Sequence, residues 1–218
     1  VTLLLHSRQV AFIAVPKVAS HSIRFALRAQ MAPGDEEQVA LFVRSRIPRP
    51  PFDAVEHGHQ TALEVRSALG DEAWRRYRSF AVVRNPWARF VSYVAFMMRH
   101  NGAFERDPRG AMRRVLDHPQ NQSPVHFRPQ SDFVVDEGGR QIVTRLCRAE
   151  RLQQDFDALC VEFGLAPSVL EVRNASEHRP YAEHYDDELV ARVGALYAAD
   201  VARFGYAFGA APNEGTSG

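Results

Sequence analysis

Residues Val10–Val15 (VAFIAV) form an unbroken apolar run rich in β-branched side chains. A strand buried on both faces, as in a parallel sheet, carries this pattern. Pro16–Ser20 reads as a short turn. From Ser22 the apolar positions Ile23, Phe25, Ala26 and Leu27 predict a helix. Phe80–Val83 (FAVV) is a second buried strand. Pro86 follows, a residue suited to the first turn of a helix, and Trp87, Phe90, Val91, Val94 and Met98 recur at helical spacing to about His100. Further helices are predicted over Thr61–Leu69, Glu72–Tyr77, Ala149–Phe163 and Asp186–Phe204, and a last strand over Val169–Val172. Leu152, Phe156, Leu159 and Cys160 share one helical face. Pro33–Pro51 reads as a connection with a short helix near Glu36–Arg44. Asn101–Phe133 reads as loops with one short helix near Arg109–Leu116, and residues 209–218 as a flexible tail.

Strands alternating with helices predict an α/β fold around a central parallel β-sheet flanked by helices. The length of 218 residues suits a single domain over 1–208. Ligands in such folds sit beyond the carboxyl ends of the strands. Pro16–Ser22 and Arg84–Pro86 both fall there, which predicts two polar motifs on one rim.

Charge changes this picture only by exclusion. The 27 basic and 26 acidic side chains leave a formal net charge of +1, which argues against a chain built to hold nucleic acid by bulk charge. No apolar run reaches the roughly 18–20 residues of a membrane helix. The apolar start is broken by His6, Ser7, Arg8 and Gln9 and lacks the features of a signal peptide. Cys147 and Cys160 have no metal or redox spacing and are expected as buried thiols in a reducing compartment. All of the basic residues but one are arginine, and the exception is Lys17.

Three segments carry candidate chemistry. PKVASHS (Pro16–Ser22) places a lysine and small residues between a buried strand and a helix start, where backbone N–H groups and the helix dipole favour an anion. It lacks the GK[ST] of a Walker A loop. RNPWARFVSY (Arg84–Tyr93) offers Arg84 directly after a strand, with Arg89 and Ser92 three apart on the next helix, a set able to grip a phosphate. EHGHQTALEV (Glu56–Val65) holds two histidines around a glycine, and histidine is the side chain best placed to act as a base near neutral pH. Each segment also has a plainer reading: a connecting turn, a capped helix with solvated arginines, and a loop with exposed histidines.

Taken together, the first two segments resemble the 5′-phosphosulfate loop and the 3′-phosphate motif of sulfotransferases that use 3′-phosphoadenosine 5′-phosphosulfate (PAPS). The third is similar to the His-Gly-His segment of glycan 2-O-sulfotransferases acting on heparan and dermatan chains. Weaker likeness continues through FRPQSDFV (Phe127–Val134), AERLQQDF (Ala149–Phe156), RNASEHRPY (Arg173–Tyr181) and the last helix.

The resemblance implies a P-loop-like three-layer fold and sulfuryl transfer from PAPS to a hydroxyl, foremost that of a glycan or glycoside, with no metal. It implies that Lys17 meets the 5′-phosphate and the bridging oxygen. Backbone N–H groups of Val18, Ala19, Ser20, His21 and Ser22, with the Ser20 and Ser22 hydroxyls, hold the phosphosulfate. Arg84 and Ser92 take the 3′-phosphate. His59 deprotonates the acceptor, His57 supports the acceptor or orients His59, Arg128 contacts the acceptor, and Ser176 closes over the nucleotide. His21 departs from the pattern, because the family usually places a Thr or Ser there.

Arg99, Arg106, Arg109, Arg113, Arg114 and Arg128 crowd the middle segment and are expected either to meet an anionic glycan or simply to be solvated. The alternatives to the sulfotransferase reading are a P-loop small-molecule kinase and a non-catalytic nucleotide- or polyanion-binding module. With no signal or span, the expected location is the bacterial cytoplasm. Because residue 1 is Val and not Met, a trimmed Golgi-lumenal domain is the other reading.

Overall fold

The computed structural model describes residues 2–39, 45–170 and 180–210. In chain order the strands are β1 (Thr2–Leu5), β2 (Val10–Ile13), β3 (Glu36–Gln38), β4 (Arg78–Val83) and β5 (Arg145–Arg148). The α-helices are α1 (Ser20–Arg28), α2 (Ala62–Leu69), α3 (Asp71–Arg76), α4 (Pro86–Met97), α5 (Ala103–Arg106), α6 (Pro108–Asp117), α7 (Pro124–Phe127), α8 (Leu152–Phe163), α9 (Asp187–Leu196) and α10 (Ala198–Phe204). The chain divides into two compact units, Val1–Val83 with Gln130–Arg173 and Arg84–Pro129 with Asn174–Gly218.

The first unit holds the sheet, in the order β3-β1-β2-β4-β5. β2, β4 and β5 are parallel, whereas β1 runs antiparallel to both β2 and β3. The sheet is therefore mixed rather than wholly parallel. The cause is a tight connection: His6–Gln9 turns the chain straight back from β1 into β2, with Gln9 in the left-handed region at φ 54. A parallel neighbour would need a long crossover.

β2 and the Phe80–Val83 run of β4 are buried throughout, as unbroken apolar runs require. The register sets Phe12 beside Phe80, whose rings stack at 4.9 Å between centroids. α8 buries Phe156, Leu159, Cys160 and Phe163 on one face. Its end is closed by Gly164 in the left-handed region at φ 66 and by Arg78, which donates to the carbonyls of Glu162 and Phe163 at 2.8 Å each.

Several expected elements differ. Glu36–Gln38 is strand, not helix, and residues 40–44 lie outside the described set. The acid-rich strand is held by ion pairs. Arg24 of α1 donates to Glu37 at 2.6 Å with both side chains 5% exposed, and Arg49 pairs with Glu36. Breaking one side of such a buried pair leaves an uncompensated charge, at a cost of about 3–5 kcal/mol. The last strand of the sheet is β5 at Arg145–Arg148. Val169 and Leu170 are not in a strand, and 171–172 lie outside the described residues.

The second unit is helical in its described residues. Asn85 caps α4, its side chain accepting from the N–H groups of Trp87 and Ala88, with Pro86 in the first turn. α9 approaches α4 closely: a Cβ on Gly194 would lie 3.1 Å from the Trp87 ring. Trp87 Nε1 donates to Val190 O at 3.0 Å, and Tyr185 Oη to Trp87 O at 2.8 Å. The predicted helix over 186–204 is two helices, broken at Tyr197. The middle segment is also more ordered than expected, with α5, α6 and α7 in place of one short helix.

Candidate functional site

The parallel strands β2, β4 and β5 end on one edge of the sheet, and the loop carrying Lys17 leaves β2 there. Two of its residues, Lys17 (φ 67) and Ala19 (φ 66), take left-handed backbone without being glycine. Each such residue costs on the order of 1–3 kcal/mol and persists only where the surroundings over-determine it. Here Val15 and Val18 are fully buried on either side of Lys17. Ser20 Oγ donates to Val15 O at 2.7 Å and closes the loop on itself. That donation commits the Ser20 proton, so this hydroxyl shapes the loop, while its backbone N–H belongs to the first turn of α1. The first turn of α1 has no side-chain cap, and of its N–H groups that of Ser22 donates to Ala19 O at 3.2 Å; an N-terminal turn of this kind favours a negative charge before it. Lys17 and His21 are half-buried, Ser22 is buried and Ala19 is exposed.

The His-Gly-His segment belongs to the same unit and is tied to this loop. His59 Nδ1 lies 2.7 Å from Ala14 O. A carbonyl only accepts, so Nδ1 carries the proton and the neutral ring presents Nε2 as its basic nitrogen. His57 Nδ1 accepts from the His59 N–H at 3.3 Å. The segment is held from three sides. Thr2 Oγ1 donates to Gly58 O at 3.3 Å, Gln60 Nε2 donates to His57 O at 2.9 Å, and α2 opens directly after it with a Thr61–Glu64 capping box. Both imidazoles thus sit on a fixed frame, as a catalytic group requires.

His21 is the titratable ring of the loop. Burial holds its pKa below the usual 6.5, and Arg24 and Lys17 push the same way. The two thiols are inert by the same physics: burial raises Cys147 to about 12 and Cys160 to about 11, and both are free.

The remaining predicted residues lie in the second unit, except Ser176, which falls outside the described residues. Arg84 and Ser92 are half-buried, Ser92 on α4 and Arg84 just before its cap. Arg89, on the same helix, is 1% exposed. Its Nη2 donates to His126 O at 3.0 Å and to Arg128 O at 2.9 Å, and its guanidinium lies 5.4 Å from the centre of the Tyr197 ring. Tyr197 Oη donates to Phe127 O at 2.9 Å. Three consecutive carbonyls, 126 to 128, are therefore pinned from beneath, which fixes the backbone that carries Arg128. Of the other middle arginines, Arg113 pairs with Asp186 at 2.6 Å and Glu188 at 3.0 Å, Arg109 donates to Tyr185 O, and Arg99 lies over Phe96. Arg106 and Arg114 are exposed.

A family model described as the sulfotransferase family matches residues 3–207. The chain belongs to the sulfotransferase family. No curated protein and no solved structure matches it. As a sulfotransferase it is an enzyme that moves a sulfuryl group, and such transfer implies a hydroxyl-bearing acceptor. Among the described residues no helix is long and apolar enough to cross a membrane, and no group of three or more His, Cys, Asp or Glu is placed to hold a metal ion.

Sequence reasoning missed Arg89 and Tyr197 as supports of this sulfotransferase's Arg128 segment. A signal existed for Arg89: it sits among Trp87, Phe90 and Val91, so a helix burying those residues also carries the arginine inward. Tyr197 left none, because its role depends on a partner 70 residues away. A separate cleft of about 410 Å³, lined by Arg66, Asp71, Trp74, Arg75 and residues 140–142, contains none of the predicted site residues.

Proposed function

We propose that this sulfotransferase takes PAPS as donor and a saccharide hydroxyl as acceptor, with Lys17 and His59 as its catalytic residues. The observation that carries this reading is the hydrogen bond from His59 to Ala14 O, just upstream of the strained loop that presents Lys17. It couples a base of fixed tautomer to an uncapped helix start fitted to an anion.

In this reading the acceptor oxygen attacks sulfur in line, and its proton passes to His59 Nε2. An oxygen–sulfur bond forms to the acceptor while the bond from sulfur to the bridging oxygen breaks. The electron pair stays on that oxygen, and adenosine 3′,5′-bisphosphate departs. Lys17 meets the charge that develops on the bridging oxygen, and the N–H groups of Val18 to Ser22 hold the 5′-phosphate. Arg84 and Ser92 take the 3′-phosphate. His57 and Arg128 face the acceptor. Fixed cations and backbone dipoles suffice for this chemistry because the moving sulfuryl group carries less charge than a phosphoryl group. A P-loop-like fold, without nucleotide hydrolysis, follows from the same reading.

A thermal-shift comparison tests the donor class. Adenosine 3′,5′-bisphosphate at 100 times its Kd should stabilise the protein by about 2.7 kcal/mol, and ATP should give little shift. Stabilisation by ATP alone would favour a kinase.

A further inference from the structure

Arg84 stands between Val83, the last residue of β4, and Asn85, the cap of α4. The direction in which it leaves the backbone depends on how that cap is held. Asn85 is 4% exposed and is gripped from two sides. Its Oδ1 accepts from the Trp87 and Ala88 N–H groups at 3.1 and 3.4 Å, and its Nδ2 donates to Ala207 O at 3.1 Å. The second grip thus comes from a segment 122 residues further along the chain, beyond the last helix.

That segment, residues 206–209, is fixed along its length. Gly205 closes α10 in the left-handed region at φ 64, a conformation glycine takes without strain. Tyr206 is buried and donates its N–H to Val201 O at 3.3 Å. The Gly209 N–H donates to Tyr181 Oη at 2.9 Å. Between these ends the Phe208 ring meets Trp87, Tyr181 and Tyr185 edge-on, with centroids 5.8, 5.8 and 5.2 Å apart, a favoured geometry for ring pairs. Trp87 lies in the first turn of α4, directly after Pro86. All of these residues belong to the second unit.

We propose that residues 206–209 form a strap that sets the donor's 3′-phosphate site, with Phe208 and Asn85 as positioning residues that act through Arg84. The inference rests on the reading that gives the 3′-phosphate to Arg84 and Ser92. Its physical content is preorganisation. A guanidinium grips a phosphate well only from a fixed direction, since its N–H fork must face the oxygens. Ser92 lies inside α4 and is held by the helix, whereas Arg84 precedes the cap and turns with it. Releasing the strap takes one of the two grips from Asn85 and gives Arg84 a freedom that binding must then remove. The 5′ end of the donor is assigned to other residues, so the loss falls on the 3′-phosphate. The strap therefore controls discrimination between nucleotides with and without that group.

The test compares adenosine 3′,5′-bisphosphate with adenosine 5′-monophosphate, which lacks the 3′-phosphate, by calorimetric titration of the full chain. Three variants are measured beside the wild type. Asn85→Ser keeps a capping oxygen for α4 but has no amide to donate to Ala207 O. Phe208→Ala removes the ring from its three aromatic partners, and Phe208→Tyr retains it. We expect the wild type to prefer the bisphosphate. In Asn85→Ser and Phe208→Ala the bisphosphate should bind about tenfold more weakly, the size of one lost contact to a charged group. Monophosphate affinity should be unchanged, and Phe208→Tyr should keep the wild-type preference. If Phe208→Ala does not fold, Asn85→Ser decides the matter, because serine caps a helix about as well as asparagine. Equal weakening of both nucleotides would reduce the strap to general support and overturn the inference. An undiminished preference in Asn85→Ser and Phe208→Ala would overturn it too and leave the donor reading standing. A wild type that binds both nucleotides alike would overturn the 3′-phosphate assignment and the inference with it.

Discussion

His59→Ala should bind adenosine 3′,5′-bisphosphate as the wild type does and lose about 10²–10⁴-fold in kcat, the usual worth of a positioned general base. The residues proposed to hold the donor are those of the Lys17 loop and the start of α1 with Arg84 and Ser92, whereas the His59 ring bonds the Ala14 carbonyl. Removing the imidazole takes away the proton acceptor without removing a proposed donor contact. A His59→Asn variant sharpens the result. Its amide nitrogen takes the place of Nδ1 and can still donate to Ala14 O but offers no basic nitrogen, so it should be as slow as the alanine variant while keeping the loop in place. Steady-state rates beside calorimetric donor affinity make the comparison. A turnover within a few-fold of wild type in either variant would remove His59 from the role of base.

Lys17→Arg should be nearly as damaging, with a loss of about 10²–10³-fold in kcat, the cost of deleting one donor that stabilises charge in the transition state. Elsewhere in this chain arginine fills every other cationic position. At position 17 the geometry differs. The residue holds φ 67 between fully buried Val15 and Val18, so the direction in which its side chain leaves the loop is fixed. A lysine ends in a compact point charge able to reach a single bridging oxygen. A guanidinium is planar, wider and suited to two acceptors at once. The Lys17→Arg variant would retain the charge and miss the position. The expected signature is a collapse of kcat with donor affinity changed by less than about tenfold. Near-normal turnover would mean that only charge, and no particular geometry, is needed there.

The two predictions rest on different degrees of legibility. VAFIAV and FAVV announced β2 and β4 because both faces of each are buried, and such strands need no polar alternation. β3 was hidden because Glu36 and Glu37 read as a solvated helix until their arginine partners are seen. β5 was hidden because only Cys147 of its four residues is buried. The antiparallel β1 escaped for a local reason: its return turn uses Gln9 at positive φ, without the Asn-Gly or glycine that usually marks such turns. In the site, the motif residues were visible as types at spacings, and the strain was not. A loop at left-handed φ is expected to contain glycine, yet this one places Lys17 and Ala19 in that conformation. The motif alone presents Ser20 as a ligand hydroxyl, whereas its bond to Val15 O closes the loop, a contact that no spacing rule foretells.

The central claim is that this sulfotransferase moves a sulfuryl group from PAPS to a sugar hydroxyl through Lys17 and His59 and without a metal. The direct measurement is transfer of labelled sulfur from PAPS to a panel of uronic-acid-containing and neutral saccharides in excess EDTA, followed by chromatography of the labelled product. The account predicts label on at least one saccharide, with equimolar adenosine 3′,5′-bisphosphate released and the signal lost in Lys17→Arg and His59→Ala. Transfer that stops in EDTA, or that survives in both variants, would contradict it.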